Sequence, residues 1–359
     1  MDKTNLDDPQ LLKQLDPEDM LARLHEMPFL CQQAWQMATE FKLPADYADI
    51  DKLVILGMGG SAIGGDLINS LAVSEAKLPI VVCRDYQLPT FVDAKSLVLA
   101  SSYSGNTEET LSSFTQALKT PAKKLVITTG GKLKSIAQEN GIPVFSFDYR
   151  AQPRAALPFS LMPILCLLHK LGFIGDKSAD VAETVEVLKQ LTMQLNETVA
   201  SAQNPAKQLA MKLYDHLPVI YGGDIVAEVA HRWKTQFNEN AKAWAFHEIF
   251  PELNHNAVVG YQFPSELATK IVVVLLNSSL LPKRIQLRYR ITGELLSKAR
   301  VSYQTVDGWG KSPLSQIMSL VLFGDYTSYY LAMLYQIDPS PVKAIDFLKK
   351  QLAQGSQSE

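Results

Sequence analysis

The chain has 359 residues, long for one hydrophobic core, so two domains are expected. With 47% hydrophobic and 20% charged residues, a net charge of −3 and a pI near 6.1, it reads as a soluble globular protein, with no basic surface to attract nucleic acid or an anionic membrane. Cys31, Cys83 and Cys166 are odd in number, far apart and set among apolar neighbours, which excludes a disulfide framework or a CxxC zinc cluster and fits buried thiols in a reducing cytoplasm.

The first 45 residues read as helices. The opening MDKTNLDDPQLLKQLDPED is too acidic and polar for a signal peptide, and Asp16-Pro17 is expected to cap a helix that runs through Phe41. The rhythm then changes. KLVILG (52–57), PIVVCR (79–84), SLVLAS (96–101), KLVITT (124–129) and PVFSFD (143–148) are short apolar runs separated by helix-compatible sequence. Strands buried on both faces and alternating with helices predict a doubly wound parallel sheet in an α/β domain over 46–175. LPFSLMPILCLLHKLGFIG is interrupted by Pro158, Pro163, His169 and Lys170, and fits a buried helix better than a membrane span. A polar helical linker is expected over 176–206, ending in a turn at Asn204-Pro205.

The alternation restarts with LPVIYGG (217–223), followed by the helical DIVAEVAHRWKTQFNENAK. ATKIVVVLLNSS (268–279), a helix around RIQLRYRITGELLSKA, the strand RVSYQTV (300–306) and a long helix to Tyr335 complete a second α/β domain over 207–350. A C-terminal helix and a disordered tail over 351–359 are expected to follow it.

Two loops carry the chemistry. GMGGSAIGGD joins a strand to a helix and offers backbone N–H groups to an anion. As Gly57-x-Gly59-x-x-Ala62, with Asp85 closing the next strand, it also satisfies a relaxed dinucleotide fingerprint. SSYSGNTEET (101–110) gathers Ser101, Ser102, Ser104, Asn106 and Thr107 at a second strand–helix junction. Many neutral donors beside helix-terminal N–H groups suit a phosphate monoester.

Together with QPRAAL (152–157), RWKTQFNENAK (232–242) and LNHNAVVG (253–260), these loops resemble the bifunctional phosphoglucose/phosphomannose isomerases, whose sugar isomerase (SIS) domains bind phosphosugars. The resemblance spans about 45 to 350. It implies two SIS domains of three-layer α/β/α architecture, a hexose 6-phosphate ligand held by Gly60, Ser61, Ser102, Ser104 and Thr107, and a homodimer with a shared site. SIS domains also serve as phosphosugar sensors, a second reading beside the enzyme; a dinucleotide-dependent enzyme is the third.

Aldose–ketose isomerisation needs ring opening, a base that moves a proton between C2 and C1, and a cation to steady the enediolate. Glu239, framed by Asn238 and Asn240, is the candidate base; His255, framed by Asn254 and Asn256, is the candidate for ring opening. The framing amides are expected to be buried with the two groups and to orient them. The resemblance further implies that Arg154 stabilises the enediolate and that a C-terminal lysine assists. Lys349 is chosen among Lys343, Lys349 and Lys350, and Ser340 is a candidate for the small residue that admits both C2 epimers. His247-Glu248 is not a zinc motif, because the second histidine of HExxH is replaced by Pro251; no metal or other cofactor is implied.

Overall fold

The computed structural model describes residues 5–355. Its first helices are α1 (Pro9–Leu15), α2 (Met20–His25) and α3 (Met27–Glu40). Asp8 caps α1, with Pro9 at the first position. Asp16 instead ends α1 and turns its carboxylate onward to the amides of Met20 and Leu21, so the expected Asp16-Pro17 helix start lies a few residues later, at Met20.

The first domain contains β1 (Lys52–Leu56), α4 (Gly59–Ala72), β2 (Ile80–Cys83), β3 (Ser96–Ser101), α5 (Glu108–Ala117), β4 (Lys123–Thr128), α6 (Gly131–Glu139), β5 (Val144–Ser146) and α7 (Leu157–Lys170). The strands form a parallel sheet in the order β2-β1-β3-β4-β5. Their continuous apolar runs have a two-sided cause. Leu53, Ile55, Leu97 and Leu99 point into a core shared with α7, whereas Val54, Leu56, Val98 and Ala100 pack with Phe114, Leu133 and Ala137 from α5 and α6. Alternate residues thus bury against opposite layers, each large side chain contributing ~1.5–3 kcal/mol before chain entropy is charged against it.

α8 (Ser178–Leu195) and α9 (Pro205–Leu213) connect to the second domain: β6 (Leu217–Gly223), α10 (Ala227–Glu239), β7 (Phe246–Phe250), α11 (Ser265–Ala268), β8 (Ile271–Asn277), α12 (Lys283–Lys298), β9 (Ser302–Asp307) and α13 (Pro313–Leu334). Its parallel sheet has the order β7-β6-β8-β9. β7 is absent from the sequence reading; FHEIF is a half-buried edge strand with a histidine and a glutamate in it, so it lacks the apolar run that reveals the others. α8 is more than a linker. Its Val181, Val185, Leu188 and Leu191 join the same core as α3 and α13, and Asn204 caps α9 where a turn was expected.

α13 is apolar and long enough to cross a membrane, but it is buried along its whole length inside the protein. It packs against α8, α9 and α10 as a spine between the two halves. The last helix, α14 (Lys343–Gly355), occupies the first part of the segment expected as a disordered tail; residues 356–359 lie outside the described residues.

Candidate active site

β1 leads to an outer strand on one side and β3 to strands on the other, so the gap between their C-terminal ends is a topological switch point, where open α/β sheets bind ligands. The glycine loop and the hydroxyl loop sit there. Neither α4 nor α5 has a side-chain N-cap bond, although their N-cap positions, Met58 and Thr107, are extended. Two helix starts without a side-chain cap, at neighbouring strand ends, favour an anion.

The hydroxyls are fixed around this opening. Ser61 Oγ accepts from the Tyr103 amide at 3.1 Å, tying the two loops together. Ser102, buried, pairs with the Thr107 hydroxyl at 2.9 Å and accepts from the Gly105 amide at 3.1 Å. Ser104 is exposed and accepts from the Asn106 amide. Gly105 has φ +65°, and a Cβ there would lie 1.8 Å from the Gly130 carbonyl oxygen, so the loop can close on its neighbour only with glycine. At Gly60 a Cβ would meet the backbone of Pro153 and Arg154 at 3.2–3.3 Å; the glycine lets the arginine segment approach the glycine loop.

Arg154 lies in the 3₁₀ turn Pro153–Ala156, before α7, and is 3% exposed. Its guanidinium reaches across to the second domain. Nε donates to Asn240 Oδ1 at 2.6 Å, Nη2 to the carbonyls of Pro339 and Ser340 at 2.6 and 2.9 Å, and Nη1 reaches Glu239 Oε2 at 3.5 Å. Burial pulls its pKa below the ordinary arginine value, with the Glu239 carboxylate pushing the other way. Glu239 is the last residue of α10, off the buried face formed by Val229, Trp233 and Phe237, with 28% of its side chain exposed. The structure thus joins Arg154 and Glu239, 85 residues apart in sequence, with the Arg154 backbone against Gly60 of the glycine loop.

The framing amides do other work than expected. Asn240 holds Arg154 and donates to Ser328 Oγ; Asn238 donates to the Ala243 carbonyl. Asn254 bonds Thr292 and Arg288 of α12, and Asn256 bonds Glu252 and the Ala257 amide. None of the four bonds the side chain of Glu239 or His255. Each bonds another polar group: a backbone carbonyl or amide, a side chain of α12 or α13, Glu252 of its own turn, or the Arg154 guanidinium. Nor are the two groups buried as expected: Glu239 is half-buried, and His255, in the 3₁₀ turn Glu252–His255, is exposed.

Lys349 is exposed on α14, with no hydrogen bond or ion pair to Arg154 or Glu239. Ser340 is 2% exposed; its carbonyl receives Arg154, and its hydroxyl is buried with no hydrogen-bond partner among the described residues. Asp85 is exposed and accepts from the Gln87 amide.

Sequence reasoning missed two groups. Arg232, 1% exposed, donates to the Arg154 carbonyl and to Asp325 Oδ2, both at 2.9 Å, so a buried ion pair between α10 and α13 supports the backbone of the site arginine. RWK inside an apolar stripe hinted at it: an arginine beside a buried tryptophan needs a partner. The second is a junction cluster. Arg84 pairs both oxygens of Asp66, facing Glu228 and His231 of α10, and His231 stacks on His247 with centroids 4.9 Å apart. One ligand atom each from Asp66, Glu228 and His231 lies within 4.8 Å of the others, but Arg84 already occupies the Asp66 carboxylate.

Residues 202–352 match the family model of the bacterial phospho-glucose isomerase C-terminal SIS domain. A bifunctional phosphoglucose/phosphomannose isomerase of Caldicellulosiruptor bescii is 43% identical over 336 residues, covering 93% of this chain and 99% of that protein. One from Aquifex aeolicus is 36% identical, covering 89% and 98%. Among solved structures, a glucose-6-phosphate isomerase like protein from Thermus thermophilus superposes with a TM-score of 0.62 at 18% identity, covering 96% of this chain and 99% of that one, a likeness of fold. The chain belongs to the family of bifunctional phosphoglucose/phosphomannose isomerases.

Proposed function

We propose that the protein interconverts glucose 6-phosphate or mannose 6-phosphate with fructose 6-phosphate. The observation that carries this reading is the Arg154–Glu239 pair, seated beside two uncapped helix starts and their fixed hydroxyls. The phosphate binds at Gly60, Ser61, Ser102, Ser104 and Thr107, which leaves the sugar carbons toward the carboxylate. His255 moves a proton from O1 to O5 to open the ring. Glu239 then takes the C2 proton; the C–H electrons form the C1–C2 double bond, and negative charge develops on O1. Arg154, held rigid by four bonds, stabilises that charge without having to reorganise. Glu239 returns the proton to C1 while O2 loses its own to O1, which leaves the C2 carbonyl of the ketose.

Both epimers pass through one enediolate, and rotation about C2–C3 presents either face of C2 to Glu239. The small residue Ser340, whose buried hydroxyl has no hydrogen-bond partner among the described residues, is assigned the role of admitting both epimers. The homodimer belongs to the same reading. His255 is exposed, as are the apolar side chains of Val259 and Phe263 close to it in the chain and of Phe347 and Leu348 on α14; such side chains suit contact with a second subunit that delivers a histidine to its neighbour's site, with Lys349 carried on the same α14.

Competition tests the single site. Mannose 6-phosphate is expected to inhibit glucose 6-phosphate turnover with a constant equal to its own KM, and EDTA to change neither activity. Non-competing activities would require two sites.

A further inference from the structure

Lys242 follows α10 by three residues, with φ +52°, a left-handed conformation unusual for a lysine. That turn folds its ammonium back on the helix end. Nζ donates to the carbonyl of Glu239 at 2.7 Å and to that of Asn240 at 3.3 Å. A cation closing a helix C-terminus is common. A third bond goes further: Nζ donates at 2.8 Å to the carbonyl of Pro339, the same oxygen that Arg154 Nη2 holds at 2.6 Å. Two cations share one acceptor, and the next residue along is Ser340, whose amide is fixed by Asp338. The ammonium therefore joins the residue bearing the candidate base to the segment against which the site arginine and the small residue Ser340 are packed.

We propose that Lys242 is a positioning residue of the isomerase, holding the end of α10 and residues 338–340 together so that Arg154, Glu239 and Ser340 keep one geometry. The proposal rests on the assignment of Glu239 and Arg154 made above. The charge of Lys242 is tunable. Although the residue as a whole is exposed, desolvation of the inward-turned ammonium, then repulsion from Arg154, pulls its pKa down to about 8, with Asp338 and Glu239 opposing. Asp215, His216, Lys270 and Tyr335 face it across a cleft of about 580 Å³. Below pH 8 the ammonium grips all three carbonyls. As pH rises through that value a donor and the charge are lost, the clamp loosens, and turnover falls.

The test compares Lys242→Met and Lys242→Arg by kcat, KM and pH profile on both sugar phosphates. Lys242→Met keeps the stem and removes the charge. It is expected to lower kcat at neutral pH by about tenfold or more, the equivalent of ~1.4 kcal/mol in the barrier, with KM nearly unchanged because the phosphate loops lie in the other domain. Lys242→Arg is expected to restore turnover and to move the alkaline fall upward, since guanidinium stays charged. Wild-type kcat in Lys242→Met, or an alkaline limb identical in wild type and Lys242→Arg, overturns the proposal. If Lys242→Met does not fold, the limb of Lys242→Arg decides alone. Glu239→Gln run alongside separates the two claims: full activity there refutes the site assignment, whereas the lysine variants report on the clamp.

Discussion

Asn240→Ala isolates the contact that most firmly aims the site arginine. Asn240 is fully buried, and its Oδ1 accepts from Arg154 Nε at 2.6 Å while its Nδ2 donates to Ser328 Oγ at 2.9 Å. Alanine leaves a charged donor without its acceptor in a site closed to water, a loss of ~1.5–3 kcal/mol for a hydrogen bond to a charged group. Arg154 retains the carbonyls of Pro339 and Ser340, so it stays in place but can swing about Nη2 toward Glu239. If about half of the lost energy had been used to stabilise the enediolate, kcat falls roughly three- to tenfold, with denaturant stability reduced by ~1.5–3 kcal/mol. Asn240→Asp keeps the acceptor and is expected to retain more turnover than alanine. A coupled isomerase assay and urea titration read both quantities. Wild-type kcat in Asn240→Ala, or alanine outperforming aspartate, would rule out an aiming role for Asn240.

Gly105→Ala is expected to destabilise the first domain by more than ~1 kcal/mol and to raise KM, because its Cβ meets the Gly130 carbonyl at a left-handed φ; urea midpoints and KM check this. Mixing inactive Glu239→Gln with inactive His255→Ala subunits is expected to recover activity, because a hybrid dimer with crossed histidines contains one intact site. No recovery under conditions where subunits exchange, or a fully active monomer in sedimentation, speaks against the shared site.

The two sheets were legible because their central strands are buried on both faces, which compresses the signal into runs such as KLVILG and SLVLAS. The edge strand β7 escaped because only its last residue, Phe250, is buried. The two strand–helix loops were legible because helix starts, glycines and hydroxyls are contiguous in the chain. The role of the amides was not: Asn240 meets Arg154 and Ser328, 86 and 88 residues away, and nothing local distinguishes it from an amide that serves Glu239. Lys242 was equally hidden, since its importance lies in the Pro339 carbonyl 97 residues downstream. The sequence motif drew attention to the right segment while the pairing within it was set by the packing of α10 against the other half.

One carboxylate, Glu239, is proposed to carry a proton between C1 and C2 for both epimers. Fructose 6-phosphate turned over in ²H₂O, with products resolved by proton NMR, tests it directly. Deuterium is expected at C2 of both glucose 6-phosphate and mannose 6-phosphate, and Glu239→Gln is expected to abolish both incorporations while phosphosugar binding persists. Labelling of one epimer but not the other, or labelling by Glu239→Gln at the wild-type rate, would contradict a single carboxylate serving both epimers.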